Sequence, residues 1–401
     1  MSSWIPDPVF ELKPARLDQS GCAMLSAHWR IAVLFFIHAL ATGAVQTRIP
    51  DLQLLNGLSE AQLGLVLMGQ PLGGLPMFLV SSTIIERFGP RRVILWFLPV
   101  VAITSALAGI LLHPAALFLM LVINGVGFSL TNIAINVEAD RVEAASGSRI
   151  MNTCHGIWSL GFLVTALGGV AMRGLDISPA LHLGLLAPAL ILALMAVALP
   201  MAPSLSRPHA GGGSLRKLTL PTAATLALVA FGLGAGLTEG ASRAWAIIYL
   251  RDNFTIATWV QSLALPALVG AMAICRLGAD RVLDRFGPVG TARTLAAIAI
   301  FGLVLVTLAQ NAWLALFAFV LIGIGICVLY PLMLSAAARL GDRPASQNVA
   351  AVTMVFQLVN LGAPALIGVV AQGFGVRMAF AILIPLLVLS FVMAGRLKPR
   401  D

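Results

Sequence analysis

Glu86-Arg87-Phe88-Gly89-Pro90 and Asp284-Arg285-Phe286-Gly287-Pro288 are one pattern, acidic-Arg-Phe-Gly-Pro, written twice at a distance of 198 residues. The same distance carries Gly125 and Gly127 onto Gly323 and Gly325, and Ser148 onto Ser346. Three coincidences at one offset point to an internal duplication. Around each pattern the chain is apolar in runs of roughly 20 residues, the length an α-helix needs to cross a hydrocarbon core of about 30 Å.

Extending this reading in both directions gives twelve candidate spans, near 30–48, 62–83, 93–112, 115–137, 151–172, 181–200, 220–242, 256–275, 291–309, 312–335, 346–370 and 376–395. The third and fourth meet at His113-Pro114 and the ninth and tenth at Gln310-Asn311, so both pairs are expected as tight hairpins. The longest polar break between spans, 201–219, holds Pro203, Pro208, Gly211-Gly212-Gly213 and Arg216-Lys217, with six spans on either side. The expected organisation is therefore a cytoplasmic segment 1–29, a six-helix bundle 30–200, a cytoplasmic central loop 201–219, a second six-helix bundle 220–395 and a cytoplasmic tail 396–401. Composition agrees: 10% of the 401 residues are charged, against about 25% in soluble proteins, and the mean hydropathy is +0.96. The fold class is an all-α integral membrane protein whose two bundles, with equivalent spans running in the same direction, are related by a pseudo-two-fold axis along the membrane normal.

Charge placement sets the orientation, because cytoplasmic connections hold the excess of Lys and Arg. With the N-terminus inside, only Arg48, Arg173, Arg243, Arg251 and Arg377 of the 25 Lys and Arg fall on the far side. Both termini are thus expected in the cytoplasm, with the chain multi-pass in the inner (plasma) membrane. The net charge of +9 resides in short connections between spans, which encodes topology and calls for no nucleic-acid partner. Cys22, Cys154, Cys275 and Cys327 form no CxxC pair and suggest neither a disulfide framework nor a zinc site. The first 28 residues, with Asp7, Glu11, Lys13, Arg16 and Asp18, do not read as a removable signal peptide.

Three stretches and the repeated turn resemble a known family. The turn is similar to the signature loop of the major facilitator superfamily, Gly-x-x-x-Asp-Arg-x-Gly-Arg-Arg, and Glu86, Arg87, Gly89, Arg91, Asp284, Arg285 and Gly287 carry the match. Ser82 stands at the first Gly, Glu86 replaces Asp, Pro90 precedes Arg91-Arg92, Asp280 replaces the second loop's first Gly, and Pro288-Val289 replace its final basic pair. Arg48-Ile49-Pro50, Met151-Asn152-Thr153-Cys154-His155-Gly156-Ile157-Trp158-Ser159-Leu160-Gly161 and Glu239-Gly240-Ala241 with Trp245 look like the bacterial branch containing permeases of the fucose:proton symporter type. The resemblance covers nearly the whole chain and implies solute transport by two bundles rocking around a central site. Multidrug antiporters of the superfamily usually carry a Gly-Pro motif in span 5, whereas Gly161, Gly168 and Gly169 have no adjacent Pro.

Ionisable groups inside spans are costly and therefore mark function. Glu239, about 9 Å past the midpoint of its span at 1.5 Å per residue, is the first candidate for proton coupling; the alternative is a pair with Arg243, one turn away. Glu138 and His155 sit at comparable depths in spans 4 and 5 and could relay a proton, or Glu138 could belong with Asp140, Arg141 and Glu143 in a solvated loop. His38 either lines the path or packs through a hydrogen bond. Asn132 with Asn136, and Gln357 with Asn360, present amide pairs on single helix faces, suited to a polyhydroxyl ligand and equally able to tie helices together. Gln46, Gln70, Asn124 and Gln261 are further amides of this kind. Trp158 and Trp245 could stack on a ligand, or Trp245 could be an interfacial belt residue.

No cofactor or metal is called for. Gly211-Gly212-Gly213-Ser214 lacks the spacing of a phosphate loop, no two His have zincin spacing, and Gly240-Ala241-Ser242-Arg243-Ala244 lacks the second Gly of a nucleophile elbow, so enzymatic activity is not expected. The expected function is secondary active transport of a small polar solute, sugar-like or a related metabolite, by proton-coupled symport through a monomer in the lipid bilayer. The alternatives are a proton-driven efflux antiporter for amphipathic compounds and a transport-dead receptor on the same fold.

Overall fold

The computed structural model of the chain describes residues 17–201 and 220–398. Residues 1–16, 202–219 and 399–401 lie outside them, and with them nearly all of the expected central loop. Among the described residues twelve helices are long and apolar enough to cross a membrane. They are α1 Ala27–Gln46, α2 Glu60–Phe88, α3 Pro90–Ala108, α4 Pro114–Ser146, α5 Met151–Gly174, α6 Pro179–Ala198, α7 Ala223–Asn253, α8 Thr258–Ala279, α9 Arg281–Leu308, α10 Ala312–Ala338, α11 Gln347–Phe374 and α12 Val376–Leu397. No strand occurs among the described residues. The helix that holds α1 starts at Leu17, inside the segment expected to precede the first span.

Local chemistry explains where the helices begin and turn. Pro90, Pro114 and Pro179 occupy first-turn positions where a missing N–H costs nothing. Ser59 and Thr222 form capping boxes with Gln62 and Thr225, and the Asn311 side chain accepts from the Leu314 N–H. Gly89 (φ 80°, ψ 148°) and Gly287 (φ 68°, ψ 167°) make the two signature turns in one left-handed conformation that residues with a Cβ rarely adopt.

The offset of 198 seen in the sequence recurs in the helix boundaries. α2 and α8 begin at Glu60 and Thr258, and α4 and α10 at Pro114 and Ala312, each pair one repeat apart. α7 matches α1 together with the short helix Ile49–Leu55 that follows it, so the first repeat breaks its leading helix at Thr47-Arg48 where the second does not. Close helix contacts repeat as well: a Cβ on Gly125 would collide with the Gln70 carbonyl oxygen of α2, and one on Gly323 with the Leu268 carbonyl oxygen of α8.

The first six and last six helices are joined at the end opposite the termini. There α2 and α11 touch backbone to backbone, since a Cβ on Gly64 would collide with the Pro364 carbonyl and one on Gly368 with that of Glu60. Gln372 Oε1 accepts from Ser59 Oγ at 2.9 Å and Ala61 N at 3.2 Å, and Arg251 Nη2 donates to Gln53 Oε1 at 3.0 Å. Arg173 pairs with Asp51 at 3.1 Å, within its own half, and donates to Ser262 Oγ of α8 at 2.9 Å. Asp51 also holds Arg48 at 3.0 Å, and Arg377 donates to Asn253 Oδ1 at 2.7 Å. The arginines that break the positive-inside pattern are thus each tied into the fold at this end or, for Arg243, paired deeper within it.

Overpacking of this kind costs about 1–3 kcal/mol, so Gly368→Leu should raise the population open at this end by about fivefold or more. In a cysteine-free background carrying Val66→Cys, the rate of labelling by an impermeant maleimide should rise accordingly; an unchanged rate would show that the α2–α11 contact does not hold this end shut.

Candidate functional site

The site is built outward from α7. Expected to end at 242, this helix continues to Asn253, because Arg243 folds back one turn onto Glu239 and removes the charge that marked the boundary. A helix from 223 to 253 has its midpoint at Thr238, so Glu239 lies beside the centre of the span rather than six residues beyond it. Arg243 Nε and Nη2 donate to Glu239 Oε1 at 3.0 and 2.8 Å. The expected pair with Arg243 is thus present, on a carboxylate that lies within the span.

The pair is continuous with the first half of the chain. The Arg243 guanidinium lies 4.5 Å from the centroid of the Phe162 ring on α5, a cation–π contact. Phe162 stacks with Trp158 at 5.5 Å, and Trp158 Nε1 donates to His38 Nδ1 at 3.2 Å. His38 is buried and stacks on Phe128 of α4 at 5.2 Å, while its Nε2 has no protein partner. Thus His38, Trp158 and Glu239, candidates from three separate spans, form one chain of contacts across the two halves.

The second half answers this wall with residues one repeat away. Trp158 corresponds to Phe356, Asn132 to Tyr330 and His38 to Gly236. Tyr330 and Phe356 pack at 4.8 Å, and Phe356 lies so close over Gly236 that a Cβ there would strike its ring. Tyr330 is within electrostatic reach of Glu239. Asn360 and Gln357 are half-buried, Asn360 Nδ2 donating to the Phe356 carbonyl at 2.9 Å. Asn136 Nδ2 donates to the Asn132 carbonyl at 2.8 Å, so both amide pairs spend donors on their own helices.

The sequence model of the Major Facilitator Superfamily matches residues 31–364. The chain belongs to that superfamily. It is similar to the uncharacterized transporter y4wD of Sinorhizobium fredii, 28% identical over 384 residues that cover 92% of this chain and 98% of that protein. An uncharacterized MFS-type transporter of Yersinia pestis is 25% identical over 366 residues, covering 91% of this chain and 94% of that one. Among solved structures, the nucleoside transporter NupG aligns with a TM-score of 0.73 at 16% identity, over 93% of this chain and 100% of that chain. A bacterial homolog of the human lysosomal transporter Spinster aligns at 0.72 and 14% identity, over 93% and 97%. At these identities the structural likeness concerns the fold. Family and relatives make this a facilitator-type transporter of a small solute and not an enzyme.

In this transporter several expected residues take other places. Glu138 is buried at 1% exposure because α4 runs on to Ser146, so it does not lie in a solvated loop. Glu143 Oε2 accepts from the Ile150 and Met151 N–H groups at 2.9 and 3.1 Å and so secures the start of α5. His155 is exposed, its ring edge-on to Phe35 at 5.3 Å. Asn124 is glue: its Nδ2 donates to Thr104 Oγ1 at 2.9 Å and its Oδ1 accepts from Gln70 Nε2 at 3.2 Å. Gln261 Nε2 donates to the nearby Ile256 carbonyl at 3.2 Å. Trp245 is fully buried rather than interfacial, and Gln46 is half-buried with its Oε1 unpartnered. Of the signature-loop residues, Arg91 Nε donates to the Ala198 carbonyl at 2.8 Å and its Nη2 to that of Leu199, clamping the end of α6.

One cation inside the fold escaped the sequence. Arg276, which reads as the first residue after span 8, lies inside α8, where its Nε donates at 2.8 Å to the Cys327 carbonyl at the break between Ile326 and Leu329 in α10. It acts electrostatically on Glu239 from its own half and on His155 from the other. The signal was present only as a missing boundary, since nothing in Arg276-Leu277-Gly278-Ala279 breaks a helix as Pro would.

Leaving one member of a half-buried ion pair alone costs more than replacing both. Arg243→Gln and Glu239→Gln should each lower the melting temperature of the purified protein, and the double variant should fall less than the sum of the two. Additive losses would show that the two side chains are not coupled.

Proposed function

We propose that this chain is a proton-coupled secondary transporter that imports a small polar solute, sugar-like or a related metabolite, by symport and alternating access. In this proposal it works as a monomer in the inner membrane with both termini in the cytoplasm, as the distribution of Lys and Arg supports. The observation that carries the proposal is the Glu239–Arg243 pair at the centre of α7, continuous through Phe162 and Trp158 with His38. A carboxylate at mid-membrane is retained at a cost and serves as the group that takes up and releases a proton.

Arg243 gives that exchange a switch. A solute group that draws the guanidinium away from Glu239 removes the charge that stabilises the carboxylate, and proton uptake then neutralises it. The solute itself is held by Asn132, Asn136, Gln357 and Asn360, with Trp158 and Tyr330 offering faces for an apolar ring surface. The closed end tied by Arg173, Asp51, Ser262, Arg251 and Gln53 must open for the solute to cross, which makes these hydrogen bonds the outer gate.

With one proton per solute, a pH gradient of one unit sustains about tenfold accumulation. Proteoliposomes tested with sugars, polyols, nucleosides and amphipathic cations should show such accumulation for a polyhydroxyl compound. Glu239→Gln should abolish it while preserving exchange of solute across the membrane. Accumulation that survives Glu239→Gln would remove the coupling role, and gradient-driven extrusion confined to amphipathic cations would establish efflux instead.

A further inference from the structure

At the end of the membrane where the termini lie, α7, α10 and the tail of α12 enclose a cavity of about 420 Å³. Three cations line it, Arg339 from the end of α10 and Arg396 and Lys398 from the end of α12, and among the described residues no carboxylate does. The rest of the wall is apolar, including Ala224, Ala227, Leu228 and Leu340. The cavity lies at the first turn of α7, where the helix dipole adds positive potential.

The duplication shows why the space exists. In the first half the same corner is occupied by protein: Arg30 on the helix of α1 reaches the Pro200 carbonyl with its Nη1 at 2.8 Å, closing the end of α6. One repeat on, Arg30 becomes Leu228, and Ala198 and Pro200 become Arg396 and Lys398. Arg141 becomes Arg339, so a cation stands at that position in both halves. The guanidinium that fills the first corner is thus replaced by a leucine, which leaves room, and new cations face that room. None of Arg339, Arg396 and Lys398 makes a salt bridge among the described residues, whereas Arg343 nearby donates to the Leu220 carbonyl at 2.8 Å.

We propose that this cavity binds a phosphate group, supplied by the headgroup of an anionic phospholipid. Arg339, Arg396 and Lys398 hold the phosphate oxygens, and the alanine and leucine wall receives the start of the acyl chains. The cavity lies at the helix ends, the depth of a headgroup. The site stands apart from the Glu239–Arg243 pair and does not depend on which solute is carried.

The test is a binding titration of the full-length protein in detergent, read by native mass spectrometry, with dioleoyl phosphatidylglycerol and dioleoyl phosphatidylcholine. Three cations at the surface predict a preference for the anionic lipid on the order of a hundredfold. Arg396→Gln with Lys398→Gln should reduce it at least about tenfold, and Leu228→Trp, which fills the space without adding charge, should abolish it. Arg281→Gln, which removes an exposed cation of the same end outside the cavity, should leave it intact. Inorganic phosphate in a parallel arm separates the sources: binding that Arg396→Gln with Lys398→Gln removes would keep the site and assign it to free phosphate. Equal affinities for the two lipids, or a preference that both cavity variants retain, would overturn the proposal.

Discussion

A bilayer offers no water to a buried charge, so each ionisable group within it needs a partner from the protein. The Glu239–Arg243 pair is the centre of this transporter's answer to that constraint. Because Arg243 lies one turn beyond Glu239, the pair lets α7 run on as one helix of 31 residues without leaving either charge alone in hydrocarbon. The same guanidinium, placed over Phe162, then connects the second half of the protein to the first. Charge neutralisation, helix continuity and contact between halves follow from a single i, i+4 spacing.

The two repeats share a backbone and divide the chemistry. Positions one repeat apart adopt the same turn at Gly89 and Gly287 and the same close helix approach at Gly125 and Gly323. Their side chains differ at the candidate site. His38 and Trp158 form a hydrogen-bonded pair in the first half, while Gly236 and Phe356 at the matching positions are only in contact. Glu239 and Arg243 correspond to Ala41 and Val45, so the first half has no ionic counterpart at that depth. The cavity beside Leu228 is another such difference, a corner plugged by arginine in one repeat and open in the other.

The fold was legible in the sequence to a large degree because apolar run length and cation placement are imposed by the bilayer itself and act residue by residue. Twelve spans followed from them; nine helices keep within about five residues of the expected limits, and α4, α7 and α9 extend by about three turns into the connections. The site was legible only in part. His38, Trp158 and Glu239 were named one by one, since intramembrane polar groups are conspicuous, but which of them touch depends on helix rotation. Asn124 and Arg276 show the two ways that such reading fails. Asn124 is spent on Thr104 and Gln70, and Arg276 is a charge near a helix end that turns out to lie within the helix.

What the sequence determined by itself was the number of membrane crossings, their duplication and the class of protein. Those properties are sums over local stretches, set by transfer of each side chain between water and hydrocarbon. Only the tertiary structure decided which end is closed, which amides serve packing, and that Glu239 meets Arg243, Phe162 and Trp158 in one line. These depend on contacts between residues up to about three hundred positions apart, where a rotation of one helix by a single residue would exchange a partner for lipid.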